Sequence, residues 1–179
     1  MHRKHLLTEL ESYKTGFTHE AKMKDEMISF IRKNNHCFDR KLATGHITGS
    51  AWIQNNSRDS VLLMHHRKLD KWLQLGGHAD GDSNIKFVAI KEAQEESGLL
   101  NFEFRSKTIF DLDIHLIPAQ SNNPEHFHYD IHYHFLTDDS VPIIKNHESI
   151  DLAWIPLNQI SEYTKEESIL RMVEKSQIL

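Results

Sequence analysis

The chain has 179 residues, 39% of them hydrophobic, which suffices for one globular domain with room for an appendage. Its net charge of −5 excludes a nucleic-acid binder driven by basic patches, but not a binder of phosphorylated small molecules, whose charge a cation would offset. Cys37 is the one cysteine, so intrachain disulfides and cysteine-based zinc motifs are excluded.

Residues 1–14 carry no apolar targeting segment, and no run reaches the length of a membrane span. A soluble cytoplasmic protein with no membrane partner is expected. Leu6, Leu7, Leu10 and Tyr13 recur at helical spacing and predict a short amphipathic helix over about 4–14. Thr15-Gly16-Phe17-Thr18 breaks it. Thr18 is the expected N-cap of a second helix reaching about Asn34, with Ala21, Met27, Ile28, Phe30 and Ile31 turned inward. Residues 1–40 therefore read as an N-terminal helical extension that packs on the core or makes a homodimer contact, ahead of a domain over 41–179.

Strand patterns follow. His46 to Gln54 alternates in part, Asn55 to Asp59 is a turn cluster, and Val61 to His66 is a compact apolar run suited to a buried strand. Trp72 to Leu75 leads into Gly76-Gly77. A helix is predicted over about 84–97, one or two strands over Phe102 to Leu116, and strands at His126 to Leu136 and Leu152 to Ile155. Helices are predicted from near Leu157 and over Glu166 to Lys175. Trp72 could stack on a base, and packing against the helix is the more frequent fate.

The densest chemistry lies between Gly76 and Leu99. A glycine-rich turn precedes a helix bearing Glu92, Glu95 and Glu96, which ends at Gly98. At about 100° per residue the three glutamates fall within roughly a third of the helix circumference. Like charges so placed cost a bare helix a few tenths of a kcal/mol per pair, a liability that a cation between them removes. Carboxylates suit hard cations such as magnesium. Ile85, Val88 and Ala89 project into the same sector as Glu92 and Glu96, so this face looks inward rather than out to solvent.

This stretch resembles the Nudix box, the signature of the Nudix hydrolases. Gly77 opens it, Glu92 follows the arginine slot, Glu95-Glu96 form the acidic pair, and Gly98-Leu99 close it with correct spacing throughout. Two slots depart from the pattern: Ser83 replaces the first glutamate and Lys91 the arginine. Lysine lacks the planar fork of arginine, and Asp82 is the expected substitute partner for Lys91.

The resemblance implies an α/β/α sandwich around a mixed β-sheet. It also implies hydrolysis of a diphosphate linkage in a nucleoside diphosphate joined to another moiety, with Mg²⁺ or Mn²⁺ as cofactor. Glu92, Glu95, Glu96 and the Gly77 backbone are the implied metal ligands, and the glutamates are the implied catalytic groups. Proline and tyrosine markers of two substrate subfamilies are not met around Ile114 to Pro118. An isopentenyl diphosphate isomerase-like enzyme is disfavoured, because its cysteine is missing before the box and Cys37 lies far upstream. A non-catalytic nucleotide-binding module is the third reading.

Substrate-binding candidates outside the glutamates are Arg67, His78, His115, His128, Asp130 and Glu148. His78 follows the paired glycines, Arg67 precedes the box, and Glu148 is a possible extra carboxylate from a loop. His126, His128, Asp130, His132 and His134 share one strand face, with aromatic and aliphatic residues on the other. That polar face could meet solvent, line the cleft or bind a transition metal.

Overall fold

The computed structural model describes residues 2–119 and 124–178. Eleven consecutive buried residues form strand β1, Gly45–Asn55, because layers of side chains cover both of its faces. It pairs in parallel with β7, His126–Thr137, and antiparallel with β2, Ser60–His66, and β4, Leu75–His78. Strand β3, Lys71–Leu73, and β8, Ser149–Pro156, flank β2. Strands β5, Glu103–Phe104, and β6, Asp111–Ile117, both pair with β7. The result is one mixed, eight-stranded sheet.

Helix α1, Lys4–Ser12, helix α2, Thr18–Lys33, and helix α3, Ile85–Ser97, cover one side. Leu6, Leu10, Met27, Phe30 and Ile31 join Ile47, Ala51, Ile85, Val88, Ala89 and Ile131 in a single apolar core. Phe30 stacks on Tyr129 with ring centroids 3.9 Å apart. On the other side a smaller core joins Trp52, Val61, Leu63 and Phe110 to Ile160 of helix α4, Ile160–Tyr163, and to Ile169 and Met172 of helix α5, Glu167–Ile178. Helices therefore sandwich the sheet, as the resemblance implied. No helix among the described residues is long and apolar enough to cross a membrane.

Several boundaries differ from the sequence reading for local reasons. Thr18 is the first residue of α2 rather than its cap, and Phe17 caps it without a side-chain bond. Thr15 Oγ1 instead accepts from the Phe17 amide at 3.1 Å and donates to Glu20. Ala21 and Ile28 are only half-buried, while Glu20 and Met23 take the deep places. The fully buried Glu20 accepts from Tyr13 Oη at 2.6 Å, from Lys175 Nζ at 2.6 Å and from the Leu112 amide at 3.0 Å. The segment after Pro156 is one 3₁₀ turn followed by the short α4. Trp72 packs rather than lying open: it stacks on His65 and meets Tyr163 edge-on.

Candidate active site

Helix α3 starts cleanly because Asn84 caps it, its Oδ1 accepting from the Phe87 amide at 3.3 Å. It stops at Gly98, whose φ of 71° suits glycine. The helix lies close on β1: a Cβ at Gly49 would come within 2.8 Å of Ile85. Ile85, Val88, Ala89 and Ala93 are buried, and Glu96 continues that stripe inward. Helical periodicity so delivers Glu96 to Gly76, and the paired glycines lie within strand β4, paired with β1, rather than in the turn expected from sequence. There its Oε2 accepts from the Gly76 amide at 2.9 Å.

Glu92 sits one turn earlier, against Gly77, where a Cβ would overlap its Oε2. Glycine is required at that position for the carboxylate to reach the β4 backbone. Burial pushes Glu96 up to about 8 against the opposing Gly76 amide, with the charges of Glu92, Glu148 and Glu95 adding to the effect. Burial likewise raises Glu92, partly countered by Lys91. Two carboxylates disfavoured by burial, with the charge of Glu92 adding to the penalty on Glu96, are what a divalent cation relieves. The all-oxygen donor set of Glu92, Glu96 and the Gly77 backbone fits Mg²⁺ or Mn²⁺.

Glu95 is placed differently. Its side chain is 57% exposed and pairs with Lys91 Nζ at 3.3 Å, while Lys91 also lies 3.4 Å from Glu92 Oε1. Lys91 therefore serves its own helix, and the expected Asp82–Lys91 tether does not form. Asp82 Oδ1 accepts from the Asn84 amide at 2.8 Å instead, tightening the turn before the cap. The loop is held from outside by an ion pair between Arg40 and Asp80.

Glu148 belongs to this neighbourhood, since its charge reaches Glu92, Glu96, His78 and His66. Arg67 places it. The Arg67 guanidinium donates to the carbonyls of His147, at 3.1 Å, and Ser149, at 2.9 Å, and its amide donates to Glu148 O at 2.8 Å. These bonds give Arg67 a part in clamping the loop.

The polar face of β7 is not solvated along its length. Asp130, His132 and His134 are buried at 3%, 0% and 1% exposure. Asp130 accepts from Thr48 at 2.8 Å, Ser50 at 2.8 Å and Gln74 at 3.2 Å, and lies 3.1 Å from His132. It is buried and held by these partners rather than lying open at a cleft surface. Burial opposes its ionisation, yet His132 and these donors hold it well below the usual carboxylate range.

Towards the start of β7 the histidines gather. Cross-strand register sets His115 of β6 beside His128 of β7, and His128 beside His46 of β1. His78 of β4 stands opposite Thr48, one step along. His115, partly exposed, pairs with Asp113 at 2.9 Å, which raises its pKa against the effect of burial. Burial drives His46 down to about 4 and lowers His78 and His128. His46 was not among the residues singled out from sequence. A lone histidine at a strand start carries no signal, and only parallel pairing across some eighty residues of chain brings it to His128.

A family model for the NUDIX domain matches residues 46–175. The chain belongs to the Nudix family. The Nudix fold also appears in solved structures that this chain resembles. An Ap4A hydrolase binary complex from C. elegans aligns at 13% identity and a TM-score of 0.60, covering 74% of this chain and 95% of that one. A NUDIX family hydrolase from Clostridium perfringens aligns at 24% identity and a TM-score of 0.51, covering 74% and 97%. The NUDIX domain of Shewanella oneidensis NrtR, complexed with ADP ribose, aligns at 15% identity and a TM-score of 0.53, covering 84% and 96%. At these identities the likeness establishes the fold alone. No curated protein matches the chain.

Proposed function

We propose that this Nudix protein is a divalent-metal-dependent hydrolase that splits a diphosphate linkage in a nucleoside diphosphate joined to another moiety. The observation that carries this reading is the inward placement of Glu96 and Glu92 against Gly76 and Gly77, with Glu96 bonded to the Gly76 amide. Glu92 and Glu96 would hold Mg²⁺ or Mn²⁺ from the helix side and the Gly77 backbone from β4. The ion, when bound, would neutralise charge on the diphosphate and acidify a water. Glu148, on its Arg67-clamped loop, is the carboxylate outside the helix that can take a proton from the attacking water. Glu95, tied to Lys91 and facing solvent, serves in this reading as an outer ligand.

Cys37 argues against isomerisation. It is fully buried in the apolar core, and burial pushes its thiol up to about 11, the opposite of an activated group.

The test is a panel of nucleotide sugars, dinucleotides and nucleoside triphosphates with Mg²⁺ or Mn²⁺, products identified. Cleavage at a diphosphate bridge, reduced at least about 100-fold in Glu96→Gln, is the expected result. Gln can still accept from the Gly76 amide, so the variant should fold. Tight binding with no turnover of any member would instead favour a nucleotide-binding module.

A further inference from the structure

We propose that His46, His78 and His128 form a binding site for a late first-row transition cation, Zn²⁺ being the natural occupant, separate from the glutamates of α3. One ligand nitrogen from each ring lies within 4.8 Å of the other two. Ring centroids are 5.0 Å apart for His46–His78, 4.7 Å for His46–His128 and 5.1 Å for His78–His128. Zinc–imidazole bonds of about 2.0–2.1 Å set tetrahedral ligand nitrogens roughly 3.3 Å apart, a spacing that small inward ring rotations reach.

A second observation points to a ligand. His46 is 1% exposed, yet neither of its ring nitrogens has a hydrogen-bond partner among the described residues, and His128 Nε2 is equally bare. Buried polar atoms are nearly always satisfied, and an orphaned set calls for an ion or water. Three strands fix the rings from behind, so the site is built on the rigid part of the fold.

Donor chemistry separates this site from the carboxylate one. Imidazole nitrogens prefer Zn²⁺, Ni²⁺, Co²⁺ or Cu²⁺, whereas the carboxylates suit Mg²⁺ and Mn²⁺. Asp130 acts on His128, and Asp80 and Glu148 act on His78, supplying negative field, while His115 and Arg40 oppose part of it. His126 stands beside the cluster, 5.1 Å from the His46 ring and 5.2 Å from His128. Its Nδ1 bonds to the Pro124 carbonyl at 2.8 Å, which leaves Nε2 as an available fourth donor. If His126 stays out, the fourth position is open to water or a phosphoryl oxygen.

The test uses the full-length, tag-free chain, stripped of metal and labelled with ¹⁵N at its fourteen histidines, in buffer with excess Mg²⁺. Zn²⁺ is then added while long-range ¹H–¹⁵N spectra are followed. One equivalent should move the nitrogen resonances of His46, His78 and His128 together and leave exposed rings such as His5 and His147 unmoved. Co²⁺ in its place should give nitrogen-ligated visible bands that Zn²⁺ abolishes. His78→Gln, a change at a half-buried position, should weaken uptake at least about tenfold, and Glu92→Gln/Glu96→Gln should leave it intact. The idea is overturned if wild-type protein shows no concerted shift of those three rings, or if the glutamate variant loses the ion while His78→Gln keeps it. Failure of these results leaves the hydrolase reading untouched, since neither relies on turnover.

Discussion

Glu96 concentrates most of the site's electrostatic tension. An unfolded glutamate titrates near 4.3, whereas burial lifts this one to about 8. Between those values the folded state holds a proton that the unfolded state has released, so raising the pH through this window destabilises the metal-free protein. Buried histidines such as His46, held down to about 4, act the other way below about pH 6.5. The readout is therefore a difference: from about pH 5 to pH 8 the melting temperature of wild type should fall relative to that of Glu96→Gln, and saturating Mg²⁺ should flatten that difference. An unaltered slope in that variant would show that Glu96 is not the group responsible. Gly77→Ala probes the same site from β4. The added methyl overlaps the flexible end of Glu92, so the fold should survive while Glu92 is displaced. Metal affinity, read by calorimetry, should drop by about 10–100-fold; an affinity equal to wild type would separate Glu92 from the ion.

At the scale of elements, the ends of the chain are tied together through charge. Lys175 of α5 meets Glu20 of α2 and Asp111 of β6 at 2.6 Å each, and Arg171 forks onto Asp111 at 2.6 and 2.8 Å. Breaking one partner of such a buried cluster costs about 3–5 kcal/mol because the remaining charges stay desolvated. Lys175→Met should lose stability on that scale in urea melts, and a loss below about 1 kcal/mol would mean the cluster relaxes around the gap. Burial opposes ionisation of Glu20, but the bonds from Lys175, Thr15 and Tyr13 win and hold its pKa below the usual value. A depressed carboxylate contributes stability that is present above the unfolded value and lost as pH falls through the folded one. Acid unfolding of Lys175→Met should accordingly begin at higher pH than in wild type.

For the whole molecule, the helices at the start are part of the core, not an ornament on it. Leu6, Leu10, Met27 and Ile31 are at most 1% exposed within the cluster that also holds Ile47 and Ile131. A chain starting at residue 41 should therefore lose its cooperative thermal transition and bind hydrophobic dye, as a loosened core does. Calorimetry showing an unchanged melting temperature for that shortened chain would establish residues 41–179 as an independent unit.

Element order, the box helix and its inward glutamate were legible from residue pattern alone, because a 3.6-residue period and a glycine's freedom act over short stretches of chain. Ile85, Val88 and Ala89 already pointed the way Glu96 faces. The pairing of Lys91 was not legible, since a flexible lysine chooses among Asp82, Glu92 and Glu95 only once the loop is folded. Nor was the fate of the β7 histidines: alternation puts them on one face, but whether that face is wet depends on what packs over it. Same-face side chains of the neighbouring strands, Thr48 and Ser50 on Asp130 and Asp111 beside His132 with Arg171 of α5 upon it, decided that Asp130 and His132 are buried, while His128 meets His46 and His78. The amino-acid order thus determined which short elements form and which family this chain joins. Tertiary structure alone decided which distant side chains share a site, because strand pairing across long stretches of chain is settled by burial of the whole sheet and not by any local preference.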